Sequence, residues 1–344
     1  MLKRNVIRNT LLGATLGLLT VMAYATDKPT EIRFGTPIAG INGSKFGYGN
    51  NFSSAQIKGL FEKEFEKENI KVTWYSYKNA GPAINEALAN NQLDFTLLGD
   101  LPALIGRSRN VDTRLILSSG RNNVYLVVPA QSEAQTVDDL KGKKVGLFKG
   151  TIVHLQVTNI LSSLGLDERD FKEINTDSAL GSVQLTSGQI DGLWTTSSAA
   201  YTLVNKGIGK IIYSTRNKPE QQGQVFTLVR EEFARQYPDI VQRVVNILVE
   251  ESHWASESEN KDNLFNLWSK SGYDEKSFAF DYEGEDLKLE QSPLINKNGF
   301  VTLTKNTEMA KKLNLIKRNP NVEQWVDFSY LNNALKNLKY QDYW

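Results

Sequence analysis

The chain has 344 residues, 40% hydrophobic and 23% charged, with a formal net charge of +1. That length suits about two domains, and so even a charge balance supplies no field to draw nucleic acid or a strongly acidic partner. There is no cysteine and there are two histidines, His154 and His253, which excludes disulfide and thiolate chemistry and leaves too few ligands for a zinc site built on His and Cys. No Gly-x-Ser-x-Gly elbow occurs to place a nucleophile, so no catalytic residue, no metal and no cofactor is expected.

The chain opens with Lys3, Arg4 and Arg8, an apolar run from Leu11 to Met22, and Ala23-Tyr24-Ala25. A basic start, an apolar core too short to span a bilayer and a small-x-small end are the marks of a secretory signal peptide. Cleavage is expected near Ala25, giving an exported, periplasmic product. Loss of Lys3, Arg4 and Arg8 with no acid moves the formal charge from +1 to −2. No cysteine follows to carry a lipid anchor.

Ile32 to Thr36 reads as a first strand. A long loop follows, with glycines at 40, 43, 47 and 49 among Asn42, Lys45, Phe46 and Tyr48. Such a loop at a strand exit touches ligand or is merely flexible, and the residues leave both open. Ser53 or Ser54 is expected to cap a helix with Ile57, Leu60, Phe61 and Phe65 on its apolar face. Val72 to Tyr77 is a second strand and Gly81-Pro82 opens a second helix. Leu93 to Leu98 is a third strand, turned by Gly99 into a helix for which Asp100 suits the cap and Pro102 the first turn. Strands at 115–117 and 124–128 follow. Alternating strands and helices predict an α/β protein with mainly parallel sheets.

A new cycle begins after Pro129. Val145 to Phe148 is an apolar strand, Gly150 permits a turn, and Val153, Val157, Ile160, Leu161 and Leu164 fall on one helical face. Thr151 is placed to cap that helix, whose free first-turn N–H groups form a seat for an anion. Many turns of this kind bind nothing. Leu88 to Thr96 is echoed by Leu185 to Leu193 at an offset of 97 residues, which sets Gly99-Asp100 against Thr196-Ser197. Trp194 then stands at a strand end, as a cleft wall or as core. Polar residues 217–224 read as a crossing segment, followed by a strand at 225–229 and a long helix from Pro238. Trp325, Phe328, Leu331 and Leu335 predict a final amphipathic helix, with its aromatics in the core.

Several of these pieces together resemble the periplasmic substrate-binding proteins of ABC importers, of the aliphatic sulfonate/taurine/nitrate type. They are Phe34-Gly35, Gly81-Pro82 with Ala87-Leu88, Asp94-Phe95, Gly99-Asp100-Leu101-Pro102, the run Val137 to Val145, Lys149-Gly150-Thr151, and Gly188 to Gly192. The resemblance covers roughly residues 31–250. It implies a type II periplasmic binding fold, with two Rossmann-like α/β lobes, a double crossover and a ligand cleft between them. The expected division is 26–120 plus 222–344 for the first lobe and 121–221 for the inserted second lobe. The implied ligand contacts are Gly99 and Asp100; Gly150, Thr151 and Ile152; and Trp194, Thr195 and Thr196. Asn42, Lys45 and Phe46 of the glycine-rich loop join them, though this loop is longer than the family's. Arg121 is a counter-charge or a solvated surface residue. Asp100 caps its helix or pairs with an amino group on a ligand. The implied function is capture of a small organic anion, an aliphatic sulfonate or related organosulfur compound, and its delivery to an inner-membrane ABC permease. Nitrate or a pyrimidine-type ligand is the alternative, and an enzyme on the same scaffold a further one. A monomer is expected, with no nucleic-acid partner.

Overall fold

The computed structural model describes residues 28–77, 80–295 and 297–344. The segment read from the sequence as a signal peptide lies outside them. Among the described residues, ten strands form two sheets of five. The first holds β1 (Glu31–Thr36), β2 (Lys71–Ser76), β3 (Phe95–Gly99), β4 (Thr113–Asn122) and β10 (Gly223–Arg230), in the order β2-β1-β3-β10-β4. The second holds β5 (Tyr125–Pro129), β6 (Lys144–Leu147), β7 (Lys172–Asn175), β8 (Gly192–Thr195) and β9 (Gly209–Ser214), in the order β7-β6-β8-β5-β9. In each sheet one strand runs against its neighbours: β10 is antiparallel to β3 and β4, and β5 to β8 and β9. Each reversed strand is the one that arrives from the other lobe. This is the double crossover of a type II periplasmic binding fold, and it repeats one strand pattern twice.

The helices that place the site are α1 (Asn51–Lys58), α2 (Asp100–Ser108), α3 (Ile152–Ser163), α4 (Ser197–Asn205), α5 (Pro238–Ser256), α6 (Glu275–Asp281), α7 (Leu287–Glu290), α8 (Lys297–Lys312) and α9 (Ser329–Leu338). One face of the first sheet is covered by α1, α5 and α9. Phe34 stacks on Phe61 and Phe95 there, with ring centroids 4.6 and 5.3 Å apart. Val241, Val244, Val245, Leu248 and Val249 of α5 are fully buried against them, worth roughly 2 kcal/mol per side chain in burial. The other face packs on α2 and α8, through Leu98, Leu104, Phe226 and Leu303.

The echo at an offset of 97 residues has a structural cause. Asp94 takes the backbone N–H of Arg33 at 2.9 Å and returns its own N–H to the Arg33 carbonyl at 2.9 Å. Asp191 does the same with Lys144, at 2.8 Å in both directions. In each lobe the aspartate therefore pins the entry of a strand to its parallel neighbour.

Four local expectations are corrected. Asp100 is the first residue of α2 and not its cap, which is Gly99, and α2 has no side-chain cap bond. α1 begins at Asn51 and is capped by Asn50, whose side chain accepts the Ser53 N–H, so Ser53 and Ser54 sit inside the first turn. Thr151 occupies the cap position of α3 but makes no side-chain cap; its hydroxyl donates to the Phe148 carbonyl at 2.7 Å. Trp325 and Phe328 do not share a helix with Leu331 and Leu335. The chain is extended at Val326, which bridges to Leu115 of β4, and α9 starts only at Ser329.

Candidate functional site

The carboxyl ends of β1 and β3 in one lobe face those of β6 and β8 in the other, the position where open α/β sheets carry ligands. Helices α2, α3 and α4 begin there, behind Gly99, Thr151 and Thr196, and none has a side-chain cap bond. The lobes meet at this seam. Tyr48 and Ser197 share a hydrogen bond of 2.9 Å between their hydroxyls. Ile152 lies so close to Gly99 and Gly223 that a Cβ added there would come within 2.5 and 2.7 Å of its side chain. Both glycines are needed for that approach.

A cavity of about 990 Å³ is walled by both lobes. Asp100, Ser118 and Phe226 come from the first lobe and Gln156, Asn159 and Ile160 from α3 of the second. Arg121, Gln222 and Gln224 come from the crossing strands and their approach, while Glu290, Lys305 and Asn306 come from α7 and α8. Helix α8 straps the two lobes together. Asn306 donates to Asp100 Oδ2 at 2.7 Å and accepts from Asn159 Nδ2 at 3.1 Å.

The carboxyls here are deeply sunk. Asp100 is 2% exposed and its Oδ1 accepts the Leu101 N–H at 2.7 Å. Loss of water raises its pKa from 3.8 to about 7, against the lowering pull of the Leu101, Gln224 and Asn306 donors. Glu290, 3% exposed, is raised from 4.5 to about 8, first by burial and then by repulsion from Glu285, with Arg121 opposing. Among the described residues Glu290 Oε1 is buried without a hydrogen-bond partner, Gln222 favours the charged form of the same carboxyl, and Arg121 Nε stands 4.0 Å from Oε1. Arg121 itself donates to Gln222 Oε1 at 3.1 Å. Beside the seam, Asp281 of α6 accepts from Tyr125 at 2.7 Å and Asn123 at 3.3 Å; burial lifts its pKa from 3.8 to about 6.

Of the residues singled out from the sequence, Asp100 and Arg121 line this cavity. Gly99 and Ile152 meet at the seam and are not among the residues that line the cavity. Gly150 adopts a φ of 75° and gives its N–H to His154 Nδ1 at 3.2 Å, while Thr151 is buried at the α3 turn. Trp194, 4% exposed, packs in the second-lobe core edge-on to Tyr213. Thr195 donates to Ser178 Oγ at 2.8 Å, and Thr196 precedes α4. Asn42 is exposed, with a φ of 54° and a bond to the Gly272 carbonyl at 3.2 Å. Lys45 is exposed, and its ammonium lies 5.4 Å over the Phe46 ring. Sequence reasoning missed Gln156, Glu290, Lys305 and Asn306. The last three come from a segment about 190 residues beyond Asp100 with no recognisable motif. The polar run 217–224 was the one local hint of this wall.

Comparison with known proteins places the chain. Residues 42–258 match the family model described as NMT1/THI5 like. A protein of Bacillus subtilis (strain 168), provisionally named as aliphatic sulfonates-binding, is 30% identical over 217 residues, spanning 62% of this chain and 64% of that protein. The match thus falls just short of two thirds of that relative's length. A crystal structure from Methylobacillus flagellatus KT superposes with a TM-score of 0.80 at 31% identity, over 91% of this chain and 96% of that one. It is provisionally assigned as the periplasmic sulfonate-binding protein SsuA of a sulfonate ABC transporter. The desulfurization enzyme DSZB shares the fold, with a TM-score of 0.69 at 15% identity over 90% of this chain and 99% of that one. These relatives, the double crossover and the interlobe cavity agree: the chain belongs to the NMT1/THI5-like family.

Proposed function

We propose that this chain is the exported substrate-binding component of an ABC import system, which captures an organic anion, an aliphatic sulfonate or related organosulfur compound, and delivers it to a membrane permease. The observation that carries the reading is the cavity of about 990 Å³ whose walls come from both lobes and the crossing strands. A site so built forms only when the lobes close, which is how a two-lobed binding protein couples occupancy to shape. The names borne by the two relatives near 30% identity supply the ligand class. In this reading residues 1–25 are removed in the periplasm, 26–120 with 222–344 and 121–221 are the moving bodies, and the mature chain is a monomer. Asp100 and Arg121 contact ligand directly. Gly99, Gly150, Thr151, Ile152, Thr195 and Thr196 shape the seam between the lobes, Trp194 supports it from the second-lobe core, and Asn42, Lys45 and Phe46 of the glycine-rich loop are assigned to ligand by the resemblance alone.

The test is a thermal-shift screen of alkanesulfonates, nitrate and pyrimidines, followed by calorimetry. A ligand at a hundred times its Kd adds about 2.7 kcal/mol of stability. Saturable binding of a sulfonate, with the compound recovered unchanged, supports the reading. The shared scaffold with DSZB makes a sulfur-releasing enzyme the alternative, and sulfite appearing in proportion to protein over repeated turnovers would establish it.

A further inference from the structure

Helix α6 rests on neither lobe alone. Phe278, fully buried, fixes it to the first lobe. Its ring packs on Trp268 at 5.5 Å, and Trp268 Nε1 donates to Ser54 of α1 at 2.9 Å. Two residues further on, the partners change. The half-buried Phe280 ring lies 5.3 Å from Tyr125 of β5 and 5.9 Å from Tyr201 of α4, both in the second lobe. Asp281 Oδ1 accepts from the Tyr125 hydroxyl at 2.7 Å. The same turn of chain grips both crossing segments. On the first, Asn123 donates to Asp281 at 3.3 Å. On the second, Arg216 donates to the Phe280 carbonyl at 2.7 Å, and Glu285 Oε1 accepts the Asn217 N–H at 2.6 Å and Gln222 Nε2 at 3.2 Å. The cavity lining includes none of residues 275–285.

A helix packed on both lobes resists any rotation of one lobe against the other, because parting them must break its contacts on one side. Exposing the fully buried Phe278 costs more than trading the hydrogen bonds of Asp281 for water. The second-lobe face is therefore where α6 lets go. Resting on the function just proposed, we infer that α6 is a clasp on the closed form and that Asp281 is a positioning residue for ligand capture, governing how long the lobes stay shut without itself lining the cavity. A ligand enclosed by both lobes leaves only when they part. Weakening the clasp therefore speeds its release, whether the empty protein rests open or closed.

The chain has no cysteine, so Glu86→Cys in the first lobe and Thr186→Cys in the second, both exposed, carry spin labels at those two sites only. Interlobe distances are measured by pulsed electron resonance on the ligand-free protein, and the dissociation rate of hexanesulfonate by stopped flow. Asp281→Ala should lengthen or broaden the distance and raise the dissociation rate about fivefold or more, the worth of a lost hydrogen bond. Tyr125→Phe keeps the ring on Phe280 and removes one bond, so it should move both readouts the same way, with a rate rise of about threefold. Asp281→Asn retains an acceptor oxygen and should restore most of both. Asp94→Ala, far from α6 in the first lobe, is the control: it should lower stability in urea and leave distance and rate unchanged. Circular dichroism confirms that each variant is folded. Distances that match wild type in both Asp281→Ala and Tyr125→Phe overturn the inference, and so does an unchanged dissociation rate; sulfonate capture then still stands. Altered distances in a protein that binds neither hexanesulfonate nor any other alkanesulfonate keep the clasp and remove the proposed function.

Discussion

Asp94 shows what one side chain does in the first lobe. It is 1% exposed and accepts from the Arg33 backbone, from Arg33 Nε at 2.9 Å and Nη2 at 2.8 Å, and from Arg230 Nη2 at 3.1 Å. It thereby ties β1, β3 and the end of β10 into one buried cluster. Removing it leaves Arg33 without its main partner and Arg230 with Glu232 alone, and both arginines are partly reached by water, so Asp94→Ala should cost about 2–3 kcal/mol in urea unfolding. Asp191 holds the Lys144 N–H in the same way without a buried cation, so Asp191→Ala should cost nearer ~1 kcal/mol. Equal losses would mean that the arginines contribute nothing beyond the shared backbone bond. Thr151 is a milder case. Its hydroxyl holds the Phe148 carbonyl rather than capping α3, so Thr151→Ala should lose about 1 kcal/mol. The helix start itself should stay intact, which amide exchange in the first turn of α3 would report.

At the scale of elements, the strand–turn–helix units were legible because each carries its own periodicity and turn residues. The repeat at 97 residues marked the two that begin at Gly99 and Thr196, and the N-caps of α2 and α4 fall there. The contacts between elements were not legible. Nothing near Asp100 in the sequence announces Asn306 or Glu290, because α7 and α8 reach the seam only after the chain has gone through the second lobe and back. Trp194 illustrates the same limit. Its place at a strand end was readable, but the side to which the ring turns depended on Tyr213 of β9. The meeting of α3 with the first lobe can be tested directly. Gly99 has an ordinary φ of −66°, so its lack of a side chain matters only for the close approach of Ile152. Gly99→Ala should destabilise the closed seam by about 1–3 kcal/mol, the usual cost of overpacking. Adding Ile152→Ala should recover most of that loss, and the double-mutant cycle isolates the coupling. Strict additivity of the two changes would show that the contact does not govern closure.

Across the whole molecule, three carboxyls at or beside the seam give stability an unusual pH dependence. Asp281, Asp100 and Glu290 are raised to about 6, 7 and 8 from ordinary values of 3.8, 3.8 and 4.5. Each holds its proton more tightly in the native chain than in the unfolded one. Between the unfolded and folded values the native state therefore binds more protons, and stability falls as pH rises. The stabilisation is fully present below the unfolded values and is lost progressively up to about pH 8. Carboxyls held below their usual range, such as Glu31 beside Thr73 and Lys71 and Asp139 at the Gln135 and Thr136 N–H groups, act in the opposite sense. Their contribution disappears only below about pH 4, where they protonate. Glu173, Glu250 and Glu251, also raised by burial, act in the same sense as the seam groups, so the seam's share of the slope from pH 5 to 8 is the part that substituting its carboxyls removes. Each group can contribute up to about 1.4 kcal/mol per pH unit, and water entering the cavity lessens the sum. The net loss expected from pH 5 to 8 is ~2–4 kcal/mol, measured by urea unfolding at fixed ionic strength. The triple variant Asp100→Asn, Asp281→Asn, Glu290→Gln should flatten the profile and be the more stable protein at pH 8. A wild-type profile that rises over this window, or one that keeps its slope in the triple variant, would show that the seam carboxyls are ionised and solvated in the native state.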